Sequence, residues 1–127
     1  MQKNKNTILG LPSKYYNHKT FWKKECDTVL SNNWLFVAFA HDLKNPGDAY
    51  PVSIAGKPIL IIKDQKNKIS AFHNVCSHRG LKLVNEKKNL GKIIICPYHS
   101  WTYDLEGNLK AAPHIGGPNK HLSLIHI

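Results

Sequence analysis

The chain of 127 residues contains few cysteines, few acidic residues and no long apolar segment. Its three cysteines, Cys26, Cys76 and Cys96, cannot form a closed disulfide framework, which argues against a small secreted disulfide scaffold. The N-terminal stretch has no apolar run long enough for a signal peptide, and no segment reaches the length of a membrane span. These absences predict a cytoplasmic protein with no membrane segment.

Acidic residues are outnumbered: eight Asp and Glu stand against 18 Lys and Arg, which gives a formal net charge of +10. Such an excess attracts nucleic acids in many proteins, but no nucleic-acid recognition motif accompanies it here. We therefore expect neither nucleic acid nor a membrane as a partner. Two interpretations of the charge stay open, since it either steers an acidic partner protein towards the chain or forms an ordinary solvated surface.

The sequence predicts one short helix followed by many short strands. Residues 17–33 carry apolar residues at helical spacing with charged residues opposite them, which indicates an amphipathic helix. Cys26 lies on its apolar side and is expected to be buried, not to bind metal, because no second ligand stands at metal spacing. Short apolar runs separated by turn-forming residues then indicate strands. The predicted strands are residues 34–40, 50–55, 58–63, 69–74, 90–95, 100–105 and 108–111.

One helix followed by many short strands predicts a mainly β domain. We divide the chain into an N-terminal segment with the helix (residues 1–33), the β domain (residues 34–114) and a truncated tail (residues 115–127). Residues 122–127 resemble the translation of a transposon end used in preparing sequencing libraries. This resemblance raises the hypothesis that the tail is not native.

Two short motifs each combine one cysteine with one histidine, and both follow apolar runs. Two sulfur and two nitrogen ligands suit either a structural zinc ion or a [2Fe–2S] cluster. The spacing favours the cluster, because common zinc fingers pair cysteine with cysteine and histidine with histidine. The candidate metal ligands are Cys76 and His78 in the first motif and Cys96 and His99 in the second.

The mixed ligand set has a consequence for charge. Two ferric ions, two sulfides and two thiolates sum to zero when the imidazoles are neutral, so the cluster carries less negative charge than an all-cysteine one. It therefore accepts an electron more readily. The ligand types alone thus point to transfer of single electrons.

The longer sequence around these ligands resembles a known family. Cys76-Ser-His-Arg-Gly80 and Cys96-Pro-Tyr-His-Ser-Trp101 are similar to the Rieske motif of aromatic-ring-hydroxylating oxygenase α subunits. The similarity extends to Phe72-His-Asn-Val75 and to residues 103–109, and covers roughly residues 11–114. The resemblance implies a Rieske fold, a β-sandwich with a small cluster-binding subdomain. It also implies that the two cysteines hold one iron and the two histidines the other.

The departures from related proteins are informative. Rieske proteins of respiratory complexes add a disulfide whose cysteines would fall at Leu81 and Tyr98, and they place a serine hydroxyl where this chain has Trp101. Fewer hydrogen bonds to the sulfurs imply a lower potential, as in the oxygenase and ferredoxin branch. Ser100 replaces a glycine that is common in the family, a change that we expect the loop to tolerate.

The resemblance implies the electron-entry domain of a Rieske non-haem iron oxygenase, a mono- or dioxygenase. A ferredoxin or flavin reductase would be the donor, and a mononuclear Fe(II) in a further catalytic domain of an oligomeric parent the acceptor. The resemblance fits choline-monooxygenase-like members as well as aromatic dioxygenases, so it selects no substrate. Two alternatives stay open: a stand-alone Rieske-type ferredoxin, and a zinc-stabilised binding module. The helix-bearing N-terminal segment argues against the ferredoxin, which generally begins near the first strand.

Overall fold

The computed structural model describes residues 9–113 and Leu124. The chain divides into two compact units, residues 1–35 and residues 36–127. Apart from Leu124, the predicted tail lies outside the described residues. Within the described part, no helix has the length and hydrophobicity needed to cross a bilayer.

The first unit is helical, as the apolar spacing predicts. Helices α1 (Lys14–Asn17) and α2 (Lys19–Glu25) are separated by His18, and α2 continues into a π-helical turn, Cys26–Leu30. Cys26 is buried, in agreement with its place on the apolar side. The helical segment ends where Asn32 and Asn33 donate side-chain hydrogen bonds to backbone carbonyls one turn earlier. These bonds satisfy carbonyls that have no partner at the end of a helix.

Within its described residues, the second unit contains two antiparallel sheets, which makes the chain mainly β as predicted. The larger sheet has the strand order β3-β2-β1-β4, and the smaller sheet has the order β5-β6-β7. The strands are β1 (Asp48–Ile54), β2 (Lys57–Lys63), β3 (Ile69–His73), β4 (Lys88–Asn89), β5 (Ile93–Ile95), β6 (Thr102–Asp104) and β7 (Leu109–Ala111).

Tight turns fix the pairing of the strands. Ala55 and Gly56 both have positive φ, 50° and 77°, and join β1 to β2 so that Ile54 pairs with Lys57. A two-residue turn with both φ angles positive matches the twist of an antiparallel pair. Between β6 and β7, the Asp104 carboxylate accepts hydrogen bonds from the backbone N–H groups of Glu106 and Asn108. These bonds form the hairpin turn that the sequence Glu106-Gly107-Asn108 predicts.

Strand β2 of the larger sheet is buried on both faces. Leu60 and Ile62 of β2 point into a core that also contains Ile94, Tyr103 and other residues of the smaller sheet. The alternate β2 residues, Ile59 and Ile61, pack on the opposite face with Leu43 and the partly buried Val37 and Ala38. A strand with both faces covered has a continuous apolar run, which explains the sequence of β2.

Two elements differ from the sequence prediction. Residues 34–39 form no strand, and a 3₁₀ turn, Ala40–Asp42, follows them. Val37 and Ala38 are apolar because they cover the outer face of the larger sheet, and this produces a strand-like pattern without a strand partner. Conversely, β4 is two exposed polar residues long, so no apolar pattern marks it. It exists because Asn89 and Lys88 pair with the start of β1.

Candidate metal centre

Both ligand motifs lie in loops with the same backbone hydrogen bonds. In the first loop, after β3, the Cys76 N–H donates to the Leu81 carbonyl and the Gly80 N–H donates to the Cys76 carbonyl, both at 2.8 Å. In the second loop, between β5 and β6, the Cys96 N–H donates to the carbonyl of Trp101 at 2.8 Å and the Ser100 N–H to the carbonyl of Cys96 at 3.0 Å. The two motifs are thus built on one type of turn, although the cysteine–histidine spacing differs.

The shared turn requires a left-handed residue four positions after each cysteine. Gly80 has a φ of 68° and Ser100 a φ of 57°. Glycine adopts this region without strain, whereas other L-residues meet a clash between Cβ and the backbone. The position of Ser100 therefore explains why a glycine is expected there, and the loop adopts the turn with serine in its place.

The structure brings the two candidate cysteines together in the core. Cys76 and Cys96 are each 2 % exposed, no disulfide involves them, and both belong to one cluster of buried residues. Burial raises the pKa of the Cys96 thiol, while hydrogen bonds from the backbone of Tyr98 and His99 to the side chain lower that pKa. Backbone N–H groups aimed at a sulfur favour a thiolate, and a bound metal cation deprotonates such a thiol outright.

The two candidate histidines lie together on the more exposed side of the loops. The imidazole centroids of His78 and His99 are 4.8 Å apart, with the rings inclined at 62°, and both side chains are partly exposed. His78 lies flat on the indole of Trp101, with centroids 4.7 Å apart and planes inclined by 8°. His99 packs against its neighbour Tyr98 at 3.7 Å, with the rings tilted by 37°.

The buried Tyr103 on β6 connects the core to the first loop. Its Oη lies 3.3 Å from Cys76 Sγ and accepts a hydrogen bond from the Ser77 N–H at 3.2 Å. Burial, and then the neighbouring Cys76, raise the pKa of Tyr103, so the hydroxyl stays protonated. No role at the site was predicted for Tyr103 from the sequence. Its place two residues after Trp101 on a strand was the available signal, because both side chains then face the same core.

A second residue without a predicted role is Asn74, which is fully buried before the first loop. Its side-chain oxygen accepts hydrogen bonds from the N–H groups of Leu83 and Val84, and its amide donates to the Val84 carbonyl at 2.7 Å. These three bonds join the residue just before the first ligand loop to the two residues that follow the loop. Asn74 therefore fixes the base of the first loop.

The donor set fits a two-iron cluster. The candidate side chains form a thiol pair in the core and a partly exposed imidazole pair. A [2Fe–2S] cluster with two cysteines and two histidines needs one pair for each iron.

Comparison with known proteins gives the same family. Residues 33–121 match the model of the Rieske [2Fe–2S] domain family. The chain is 36% identical over 100 residues to the glycine betaine monooxygenase oxygenase subunit of Chromohalobacter salexigens, covering 79% of this chain and 22% of that protein. It is 32% identical over 109 residues to the carnitine monooxygenase oxygenase subunit of Escherichia coli, covering 86% of this chain and 29% of that protein.

Solved structures agree. The apo form of the quaternary ammonium Rieske monooxygenase CntA is 30% identical, with a TM-score of 0.85 over 92% of this chain and 35% of that one. Naphthalene 1,2-dioxygenase with bound indole is 28% identical, with a TM-score of 0.76 over 84% of this chain and 25% of that one. The chain thus spans about a quarter of the length of the curated relatives that it matches. The chain belongs to the Rieske [2Fe–2S] domain family, as found in the oxygenase subunits of Rieske oxygenases.

Proposed function

We propose that this chain is the electron-entry domain of a Rieske non-haem iron oxygenase α subunit. In this proposal, Cys76 and Cys96 hold one iron of the [2Fe–2S] cluster, and His78 and His99 hold the other. The observation that carries it is the separation of the four side chains into a buried thiol pair and a partly exposed imidazole pair. When bound, the cluster takes up and releases one electron at a time, at a potential raised by the neutral imidazoles.

The surrounding residues determine what reaches the two ends of the site. The cysteines lie in the same core as Trp101 and Tyr103, so water is excluded from the sulfur end. The histidines and the exposed Tyr98 and Leu81 lie at the loop surface. We therefore propose the imidazole end as the contact point for electron partners, since electron transfer becomes faster as the distance between centres falls.

The relatives support a proposal for the source and the destination of the electron. Several are named as oxygenase subunits, and one related monooxygenase structure is described with inter-subunit electron transfer. We propose that a ferredoxin or flavin reductase donates the electron in the parent protein. We also propose that a mononuclear iron elsewhere in a homo-oligomeric parent receives it.

Metal and sulfide analysis of the purified chain tests the ligand assignment. We expect about two irons and two acid-labile sulfides per chain, with a rhombic EPR signal of low average g after reduction with dithionite. Cys76→Ser should abolish this signal. Cys26→Ser is the matched control, because Cys26 is also buried but lies in the first unit, outside both ligand loops. Zinc without sulfide, in material produced with iron available, would exclude the cluster.

The coding sequence of the parent gene separates an oxygenase from a stand-alone carrier. An oxygenase subunit requires a facial triad of two histidines and a carboxylate beyond the Rieske domain. A parent gene that encodes such a triad downstream supports the proposal. A parent gene that ends after the Rieske domain would instead support a Rieske-type ferredoxin.

A further inference from the structure

Trp101 contacts both ligand loops at once. Its backbone carbonyl accepts the hydrogen bond from the Cys96 N–H and so closes the second loop at 2.8 Å. Its indole lies flat against the imidazole of His78, which belongs to the first loop. Because Trp101 is only 1 % exposed, the indole is held by the core and cannot turn away from His78. One residue therefore ties the backbone of one motif to a side chain of the other.

The two imidazoles are supported differently. His78 rests on a buried ring, with the planes nearly parallel. His99 packs at a tilt against Tyr98, its neighbour in the chain, and Tyr98 is 56 % exposed. A histidine that binds metal is usually oriented by a hydrogen bond from its second ring nitrogen. For His78, the contact that can orient the ring among the described residues is the aromatic face of Trp101.

We infer that Trp101 is a positioning residue that sets the ring orientation of His78 through the face of its indole. This inference rests on the proposed function, in which His78 binds iron. The indole N–H does not explain the contact, because Trp101 Nε1 is buried and has no hydrogen-bond partner among the described residues. The parallel contact at 4.7 Å lies in the range of stable aromatic stacking and leaves the imidazole one preferred plane.

Two substitutions of Trp101 test whether the flat face of the indole, and not its N–H or its volume, orients the ring of His78. Trp101→Phe and Trp101→Met both remove the N–H and both reduce the volume, but only Phe keeps a flat ring. Methionine is a suitable comparison because its flexible side chain fills irregular gaps in a core. The measurement is pulsed EPR of the reduced full-length chain, which resolves the hyperfine couplings of the iron-bound histidine nitrogens.

We expect two histidine nitrogen couplings in the wild-type chain, and nearly the same two in Trp101→Phe. In Trp101→Met, one coupling should broaden or shift, because the ring of His78 is no longer confined to one plane. Unchanged couplings in both variants, or equal changes in both, would overturn the inference while the proposed function stands. A wild-type spectrum without histidine nitrogen couplings would instead overturn the proposed function, and the inference with it.

A surface variant decides the question if Trp101→Met does not retain iron. Tyr98→Leu removes the ring beside His99 without disturbing the core, since Tyr98 is mostly exposed. The coupling of His99 should broaden and that of His78 should stay sharp, because Trp101 still holds it. Broadening of both couplings to the same extent would mean that the two rings are not held independently, and this would overturn the inference.

Discussion

Tyr103 shows how one side chain of the core acts on the site. The hydroxyl lies within hydrogen-bonding distance of Cys76 Sγ and also accepts the N–H of Ser77, so it contacts both the side chain and the backbone of the first loop. Its raised pKa keeps the proton on the oxygen. A protonated hydroxyl beside an iron-bound thiolate donates a hydrogen bond to the sulfur, and such bonds raise the potential of iron–sulfur centres.

Replacing Tyr103 by phenylalanine should therefore lower the reduction potential while the cluster is retained. A hydrogen bond to a charged group contributes roughly 1.5–3 kcal/mol, and only the difference between the two redox states counts, so we expect a fall of several tens of millivolts. An EPR-monitored redox titration measures it. Tyr98→Phe is the control, since the hydroxyl of this exposed residue lies outside the core. An unchanged potential in Tyr103→Phe would contradict the assignment of Tyr103 as a donor to Cys76.

The backbone conformation of Ser100 leads to a prediction about the stability of the chain. Its φ of 57° is unfavourable for a residue with a Cβ, and relief of this strain should raise the free energy of unfolding of Ser100→Gly by about 1 kcal/mol. Denaturant unfolding of the cluster-loaded chain measures the change. The reverse substitution, Gly80→Ser, tests the equivalent position of the first loop, where a Cβ has open space. Gly80→Ser should destabilise, and equal stability of all three proteins would show that the left-handed turn is not strained.

At the level of elements, the β6–β7 hairpin packs its turn against the larger sheet. Gly107 has a φ of 88°, and a Cβ placed on it would lie 2.5 Å from Cε1 of Phe72 on β3. The backbone carbonyl of Gly107 also accepts a hydrogen bond from the Leu124 N–H at 2.8 Å, and Leu124 is buried in the same core. The turn thus needs glycine for two reasons, its backbone conformation and the close approach of an aromatic ring.

Gly107→Ala should consequently destabilise the chain more than an alanine at a turn that has space. Gly91 is the matched position, with a φ of 68° and no atom within 4 Å of the point that a Cβ would occupy. Forcing a methyl group into a packed site typically costs 1–3 kcal/mol, so we expect Gly107→Ala to lose roughly 2 kcal/mol more than Gly91→Ala. Thermal unfolding followed by circular dichroism compares the two variants. Equal losses would mean that the contact with Phe72 relaxes freely.

At the scale of the whole unit, the ligand loops extend from different sheets. Cys76 follows β3 of the larger sheet, and Cys96 follows β5 of the smaller one. The two sheets meet in one core, and both cysteines belong to it. A cluster bound by these residues therefore links the two sheets, and binding energy at such a site becomes folding energy.

Removal of iron should lower the unfolding temperature of the chain by on the order of 10 °C or more, because a loss of 1 kcal/mol shifts a domain of this size by several degrees. Calorimetry of the loaded chain and of the chain after chelation measures the difference. The Cys26→Ser chain should show the same loss, since Cys26 lies outside the second unit. Loaded and iron-free chains with the same unfolding temperature would show that the core, not the site, holds the sheets together.

Much of this protein follows from sequence alone, because the deciding interactions are local. The spacing of Cys76, His78, Cys96 and His99 predicts the ligand set that we propose for the cluster. Alternating apolar residues and turn-forming residues predict six of the seven strands in the described part of the chain to within a few residues. Turn chemistry also predicts the hairpin at residues 106–108, since the residues that form it are neighbours in the chain.

The tertiary structure decided what depends on contacts between distant residues. Residues 34–39 look like a strand in sequence, yet they form none. Val37 and Ala38 are apolar because they pack on a face of the larger sheet, and burial favours apolar residues whether or not a strand partner is present. Strand β4 shows the reverse case. Its two polar residues carry no strand-like pattern, yet they form a strand because they pair with β1. The stacking of Trp101 on His78 and the hydroxyl of Tyr103 beside Cys76 join residues more than 20 positions apart. No local pattern encodes such contacts, because they exist only once the two sheets have closed around one core.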